Sequence, residues 1–202
     1  MCRFIETIRI MNGVAENLSA HNARMNATRR IHSGSYGTLS FKELFLEDYI
    51  SPSAYIELTR CRVVYSDRIE KVEYFPYTMR KVKTLRLVND DEAEYMFKSE
   101  DRTVLDRNFS RRGDADDVVI VRHGLLTDTS IANIALRRDG IWYTPRKPLL
   151  KGTRRQLLLE EGRIVEADIP LNDLLLYDRI CLFNAMIHFG EQELDVYKTF
   201  LI

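Results

Sequence analysis

Residues 125–136 read Leu-Leu-Thr-Asp-Thr-Ser-Ile-Ala-Asn-Ile-Ala-Leu. The stretch starts as an apolar strand, stalls on Thr127-Asp128-Thr129-Ser130 and resumes as a second apolar segment. A carboxylate among hydroxyls, between two segments of buried character, has two readings. It is an Asx-turn at a strand break, or it is aimed at a cation or donor inside the protein, because a buried carboxylate needs such a partner. The residues alone leave both open.

The flanks of this stretch set its context. Upstream, Val118 to Arg122 reads as a short buried strand, and Arg102 to Arg112 as a helix ended by Gly113. Downstream, Asp139-Gly140 makes a hairpin into Ile141-Trp142-Tyr143. Thr153 to Glu161 reads as a helix stopped by Gly162, and Ile180 to Ala185 as a further apolar strand. Nearer the start, Phe4 to Ile10 alternates like a strand and Met11-Asn12-Gly13 turns into a helix over residues 15–31. Tyr55 to Tyr65, Val72 to Tyr77 and Val82 to Val88 predict three strands of a meander. The texture changes near Asp90-Asp91, which predicts an α+β protein of two lobes, 1–90 and 91–202.

The chain has 202 residues, 45% of them hydrophobic, enough for a substantial core. Lys+Arg and Asp+Glu are equal at 30 each, so no bulk attraction toward nucleic acid or an anionic membrane is expected. Arg29-Arg30 and Arg111-Arg112 read as exposed charge. Three scattered cysteines suit a reducing compartment better than a disulfide framework. The start MCRFIETIRI lacks a signal-peptide core and no apolar run is long enough to span a bilayer, so the expected location is cytoplasmic. His21, His32, His123 and His188 are dispersed, and no metal is expected.

Four places can carry chemistry. Lys98 follows Tyr95-Met96-Phe97, as at the end of a strand leaving the core. There a lysine can be partly desolvated, which favours a neutral amine able to form a Schiff base; the alternative is a lysine that snorkels to solvent. In Leu149-Leu150-Lys151-Gly152-Thr153-Arg154-Arg155 a glycine stands directly before a helix, whose first amides suit a phosphate; the alternative is an ordinary cap. His21 and Arg24 share a helix face, from which Arg24 can grip a phosphate in bidentate fashion, or which is simply solvated. Asp128 is the fourth.

The order of these pieces changes their weight. A lysine, then about thirty residues on an acid followed by Ala-Asn-Ile, then Tyr-Thr-Pro and Leu-Lys-Gly-Thr-Arg-Arg resembles the class IV aminotransferase family. Its members are fold type IV pyridoxal-phosphate enzymes, including D-amino-acid and branched-chain aminotransferases and 4-amino-4-deoxychorismate lyase. Phe4-Ile5-Glu6-Thr7-Ile8-Arg9 through His21 and Arg24 is similar to the family's amino-terminal strand and helix, so the likeness covers nearly the whole chain.

The resemblance implies a two-lobe fold of the D-amino-acid aminotransferase type, with pyridoxal 5'-phosphate as cofactor. Lys98 is implied as its covalent anchor and the catalytic base. Arg24 and the backbone amides of Thr153 and Arg154 are implied as phosphate contacts, and Asp128 as the partner of the pyridine nitrogen, where the family normally has glutamate. Asn133 is read as structural. The family's first strand and Tyr-Gly-x-Gly entry are missing here, and the chain is short for the family.

Two features lean toward the lyase. Lys98-Ser99-Glu100-Asp101-Arg102 resembles the lyase's Lys-x-x-Asn-Arg, whereas branched-chain aminotransferases have Asn-Tyr where Arg102 and Thr103 stand. Asn184-Ala185 resembles the lyase's Asn-Ala or Asn-Ser, in place of the transaminase Gly-Thr, which puts Ala185 beside the phosphate. The implied reaction is release of pyruvate from aminodeoxychorismate to give 4-aminobenzoate, in the folate pathway. The alternatives are a class IV amino-acid transaminase, or a homologue without turnover. The implied partners are a small amino substrate and a second copy of the chain, as a homodimer.

Overall fold

The computed structural model describes residues 2–32 and 43–201. It separates into two compact units, Met1–Met79 with Phe97–Asp101, and Arg80–Met96 with Arg102–Ile202.

In the first unit a four-stranded antiparallel sheet carries one long helix. The strands are β1 (Phe4–Met11), β2 (Val14–Ala15), β3 (Thr59–Tyr65) and β4 (Ile69–Pro76), in the order β2-β1-β3-β4. Helix α1 (Leu18–His32) lies between β2 and β3 in the chain. Alternation along β1 sends Phe4, Ile8 and Ile10 into a core with Met25, Cys61, Val63 and Tyr65. Glu6 shares that parity, so a carboxylate goes into the core with them and is fully buried. The buried face of α1 is unusually polar, with His21, Asn26, Thr28 and Arg29 beside Met25. Arg29 is therefore not exposed charge. Its guanidinium donates to the carbonyl of Asp67 at 2.9 and 2.7 Å and to Asn26 Oδ1 at 2.7 Å, which satisfies it without water.

The second unit holds β5 (Leu85–Asn89), α2 (Thr103–Ser110), β6 (Asp117–Arg122), β7 (Leu125–Thr129), β8 (Asn133–Arg138) and β9 (Ile141–Pro145). These are followed by α3 (Thr153–Glu160), β10 (Val165–Ala167), β11 (Arg179–Phe183), β12 (Glu193–Asp195), α4 (Val196–Thr199) and β13 (Phe200–Leu201). The main path of its sheet is β10-β9-β8-β7-β6-β5-β13, with β11 paired to β8 and β12. The middle of β6, Val118 to Val121, is apolar and buried because both of its faces are covered. Val119 and Val121 enter one cluster with Leu85, Leu126 and Ile134, while Val118 and Ile120 enter another with Leu105 of α2 and Leu149. The turn Asp139-Gly140 has positive φ at both residues (52° and 78°), the two-residue geometry expected between β8 and β9.

Two sequence expectations change. The third strand of the proposed meander, β5, does not pair with β4; it runs parallel to β6 from Leu85↔Asp117 to Asn89↔Val121. Residues 80–96 therefore belong with the second unit, and the unit boundary falls after Met79 rather than near residue 90. Short-range alternation cannot distinguish a third meander strand from one recruited by a distant partner, because both have period two. The stretch Thr127-Asp128-Thr129-Ser130 is likewise no interruption: β7 continues through Thr129, and the turn lies beyond it. No helix of the described residues is long and apolar enough to cross a membrane.

Gln192 fixes the entry to β5, accepting the Val82 N–H at 2.8 Å and donating to the Arg80 carbonyl at 3.0 Å from a buried position. Gln192→Ala leaves both main-chain groups without this partner. It is expected to lower stability in urea unfolding by about 1–3 kcal/mol, whereas a surface substitution such as Lys147→Ala leaves the midpoint unchanged.

Candidate functional site

Three carboxylates are buried among the described residues, Glu6 in the first unit and Asp117 and Asp128 in the second. Asp117 pairs with Arg80 and accepts from the Val118 N–H at 2.8 Å, while Glu6 and Asp128 are satisfied in contrasting ways. In the first unit, Glu6 Oε1 accepts from Arg24 Nε at 2.9 Å and Oε2 from Arg24 Nη2 at 2.5 Å, a bidentate pair. His21 Nδ1 lies 2.6 Å from Oε2. Burial pushes the Glu6 carboxyl upward, but the Arg24 charge and the His21 hydrogen bond outweigh it and hold the group at about 2. His21 itself is shifted downward by burial, with a smaller contribution from the positive charges of Arg24 and Lys98 against the upward pull of Glu6. A neutral ring donating Nδ1–H to the Glu6 carboxylate fits both directions.

Lys98 is half-buried in the same unit, in an irregular segment rather than at the end of a strand. The segment lies antiparallel against the start of β1: Ile5 N–H donates to the Lys98 carbonyl at 2.9 Å, Ser99 bridges Phe4, and Glu100 N–H donates to the Arg3 carbonyl at 2.9 Å. Phe97, just before it, packs edge-on against Phe4 and His32. The backbone of Lys98 is thus held opposite Ile5, one residue along β1 from Glu6.

In the second unit, Asp128 faces Asn133 across the β7–β8 hairpin and is buried. Its Oδ1 accepts from Asn133 Nδ2 and its Oδ2 from the Leu150 N–H, each at 2.8 Å. All its contacting donors are uncharged; the nearest favourable charge comes from Arg155, whose guanidinium is engaged by Pro145 O at 2.8 Å and Glu166 Oε1 at 2.6 Å. Burial therefore dominates and pushes the Asp128 carboxyl up to about 6, against those hydrogen bonds. The Asx-turn reading fails, because the carboxylate bonds a distant loop rather than its own backbone. Its neighbours are satisfied by other groups: Thr127 Oγ1 donates to Ile120 O of β6 at 2.6 Å, and Thr129 Oγ1 accepts from the Ala132 N–H of the hairpin turn at 2.9 Å.

Helix α3 begins after Gly152, whose conformation is extended and which provides no side-chain cap. Thr153 is buried and Arg154 half-buried at its first turn. Ala185 is half-buried in the loop after β11. Asn184 shapes that loop, its Oδ1 accepting from Met186 N–H at 2.8 Å and Ile187 N–H at 2.9 Å.

Arg24 and Lys98 thus fall in the first unit, and Asp128, Thr153, Arg154 and Ala185 in the second. Sequence reasoning missed Glu6 as the partner of His21 and Arg24. The signal was present: an acid between Phe4 and Ile8 on the apolar parity of a strand, with two cationic residue types three apart on the next helix. It also missed Leu150, whose contribution is its backbone, which no side-chain pattern encodes.

A family model described as Amino-transferase class IV matches residues 63–190. A Haemophilus influenzae protein, described only as uncharacterized, is 35% identical over 186 residues, 92% of this chain and 98% of its own length. The crystal structure of a provisionally named 4-amino-4-deoxychorismate lyase from Haemophilus somnus 129pt is 31% identical, with 93% of this chain and 98% of that one covered at a TM-score of 0.83. The pyridoxal-phosphate-bound form of a hypothetical aminotransferase from Mycobacterium tuberculosis shares the fold, at 18% identity, 98% and 81% coverage and a TM-score of 0.78. The short length noted in the sequence is shared with the two Haemophilus proteins, nearly all of whose length is matched.

Glu6 and Asp128 predict opposite pH slopes in the ligand-free protein. Glu6 is depressed from 4.5 to about 2, so its stabilisation is present above pH 4.5 and lost as pH falls toward 2. Asp128 is raised from 3.8 to about 6, so it favours the folded state below pH 3.8 and that advantage is lost as pH rises through 6. Each contribution is on the order of 3 kcal/mol. Urea midpoints taken across pH 3–7 should lose the falling limb between 4 and 6 in Asp128→Asn and retain it in Glu6→Gln.

Proposed function

Because the chain belongs to the class IV aminotransferase family, we propose that it is a pyridoxal-phosphate enzyme acting as a lyase of the 4-amino-4-deoxychorismate type, releasing pyruvate and 4-aminobenzoate. Asp128 supports the cofactor reading: a buried carboxylate raised to about 6 and contacted only by uncharged donors suits a protonated ring nitrogen. The uncapped start of α3 suits a phosphate.

When bound, the cofactor supplies an electron sink for charge developing at the amine-bearing carbon of the substrate. Lys98 would hold it through Nζ and would be the base that takes the proton from that carbon. Asp128 holds a proton on the ring nitrogen. Arg24, oriented by both oxygens of Glu6, would contact the phosphate, as would the amides of Thr153 and Arg154. Ala185 lines the phosphate where a hydroxyl stands in transaminases.

The observation that carries the lyase reading is a convergence of its two distinguishing side chains. Arg102 Nη2 donates to the carbonyl of Ser130, and Asn184 Nδ2 to that of Ile131, each at 3.0 Å. Both residues that separated lyase from transaminase in the sequence thus bind consecutive carbonyls of the turn that follows Asp128.

The purified protein with added pyridoxal phosphate is expected to absorb in the visible and, after borohydride, to carry the label covalently on Lys98. Lys98→Ala should lose the label and at least ~1,000-fold in turnover, the scale of removing a group that acts as both nucleophile and base. Pyruvate release from aminodeoxychorismate, without keto-acid-dependent amino transfer, is the expected activity. Amino transfer alone would make the protein a transaminase, and an unlabelled, colourless protein would end the enzyme reading.

A further inference from the structure

The side chain of Asn133 makes more contacts than its place in a hairpin requires. Its Nδ2 donates to Asp128 Oδ1 and to the carbonyl of Leu150, both at 2.8 Å, which uses both hydrogens of the amide. Leu150 N–H donates in turn to Asp128 Oδ2 at 2.8 Å. Both main-chain polar groups of Leu150 are therefore held by two side chains facing each other across β7 and β8. The amide orientation is fixed by chemistry, since a flipped Asn133 would set its oxygen against a carboxylate and a carbonyl.

With Nδ2 turned to those acceptors, Oδ1 faces the start of α3. A Cβ built on Gly152 would lie 2.1 Å from it, far inside van der Waals contact, so only glycine admits this approach. The φ of Gly152 is −69°, which any residue adopts; the requirement for glycine here is space. The side chain thus clasps Leu150 and abuts Gly152, two residues farther along, where the helix begins.

We propose that Asn133 is a positioning residue for the phosphate end of the cofactor site, locking the start of α3 to the Asp128 carboxylate. The inference rests on the pyridoxal-phosphate reading above. Pyridoxal phosphate has a rigid ring with its phosphate on a short arm, so its ring nitrogen and phosphate demand fixed spacing from the protein. Asn133 sets that spacing without touching either end: one hydrogen holds the carboxylate and the other holds the backbone leading into the helix. Such a residue acts on affinity through preorganisation of its neighbours.

The test compares two ligands that differ only in the phosphate, pyridoxal 5'-phosphate and pyridoxal, titrated by absorbance into ligand-free wild type and Asn133→Ala. The expected result is a fall of about tenfold or more in affinity for the phosphorylated ligand, the weight of one charge-assisted hydrogen bond, with a distinctly smaller fall for pyridoxal, which keeps only the ring-nitrogen contact. Equal losses for both ligands, or no loss for either, would overturn the proposal. Wild type that binds neither ligand would overturn the cofactor reading itself, and this proposal with it. Asn133→Ser keeps a single donor and a smaller void; if the alanine variant fails to fold, the same ratio in the serine variant decides.

Discussion

A carboxylate removed from water must be given hydrogen bonds or a counter-charge by the fold, or it will bind a proton. Among the buried carboxylates of the described residues, Glu6 and Asp128 are resolved in opposite ways. Glu6 receives a bidentate arginine and a histidine, so it stays ionised and ties the middle of β1 to α1. Asp128 receives two neutral donors, so it is held in place but not electrically compensated. Breaking a bidentate buried pair costs several kcal/mol, which makes Glu6 a determinant of how α1 sits on its sheet. Asp128 is the less settled group, and its two hydrogen bonds nevertheless fix the path of the chain between β9 and α3.

Much of this was legible in the sequence, and for identifiable reasons. Local elements with strong period or punctuation, such as β1, α1, the Asp139-Gly140 hairpin and α3 before Gly162, follow from short-range rules. Lys98, Arg24, Asp128 and the Gly152 helix start stood out only through their order along the chain, since each alone has a commoner structural explanation. What the sequence did not reveal depends on pairing at a distance. The recruitment of β5 by β6, the carboxylate partner of His21 and Arg24, and the grip on Leu150 each join residues far apart in the chain. The polar face of α1 is the clearest case: Arg29 reads as solvated, yet is buried against the Asp67 carbonyl.

The aspartate at position 128, where the family normally has the longer glutamate, also acquires a physical consequence. One methylene less draws the carboxyl toward its own strand, and both of its oxygens meet groups of the protein there. An ionised carboxylate offers about four acceptor sites, so one hydrogen bond on each oxygen leaves capacity for a further donor. The shorter side chain therefore combines contact with the loop before α3 and spare acceptor capacity on both oxygens. Its rise to about 6 comes from burial, which its uncharged donors only partly offset.

The charge balance within each unit points the same way. The first unit holds Arg24 and Lys98 against Glu6, with His21 shifted toward its neutral form. The second holds an aspartate whose upward shift a cation in contact would relieve. A ligand carrying a protonated nitrogen would answer the second imbalance by lowering the cost of burying Asp128 as an anion. Binding such a ligand should therefore stabilise the fold by more than its contacts alone suggest, because it also removes penalties already present in the ligand-free protein.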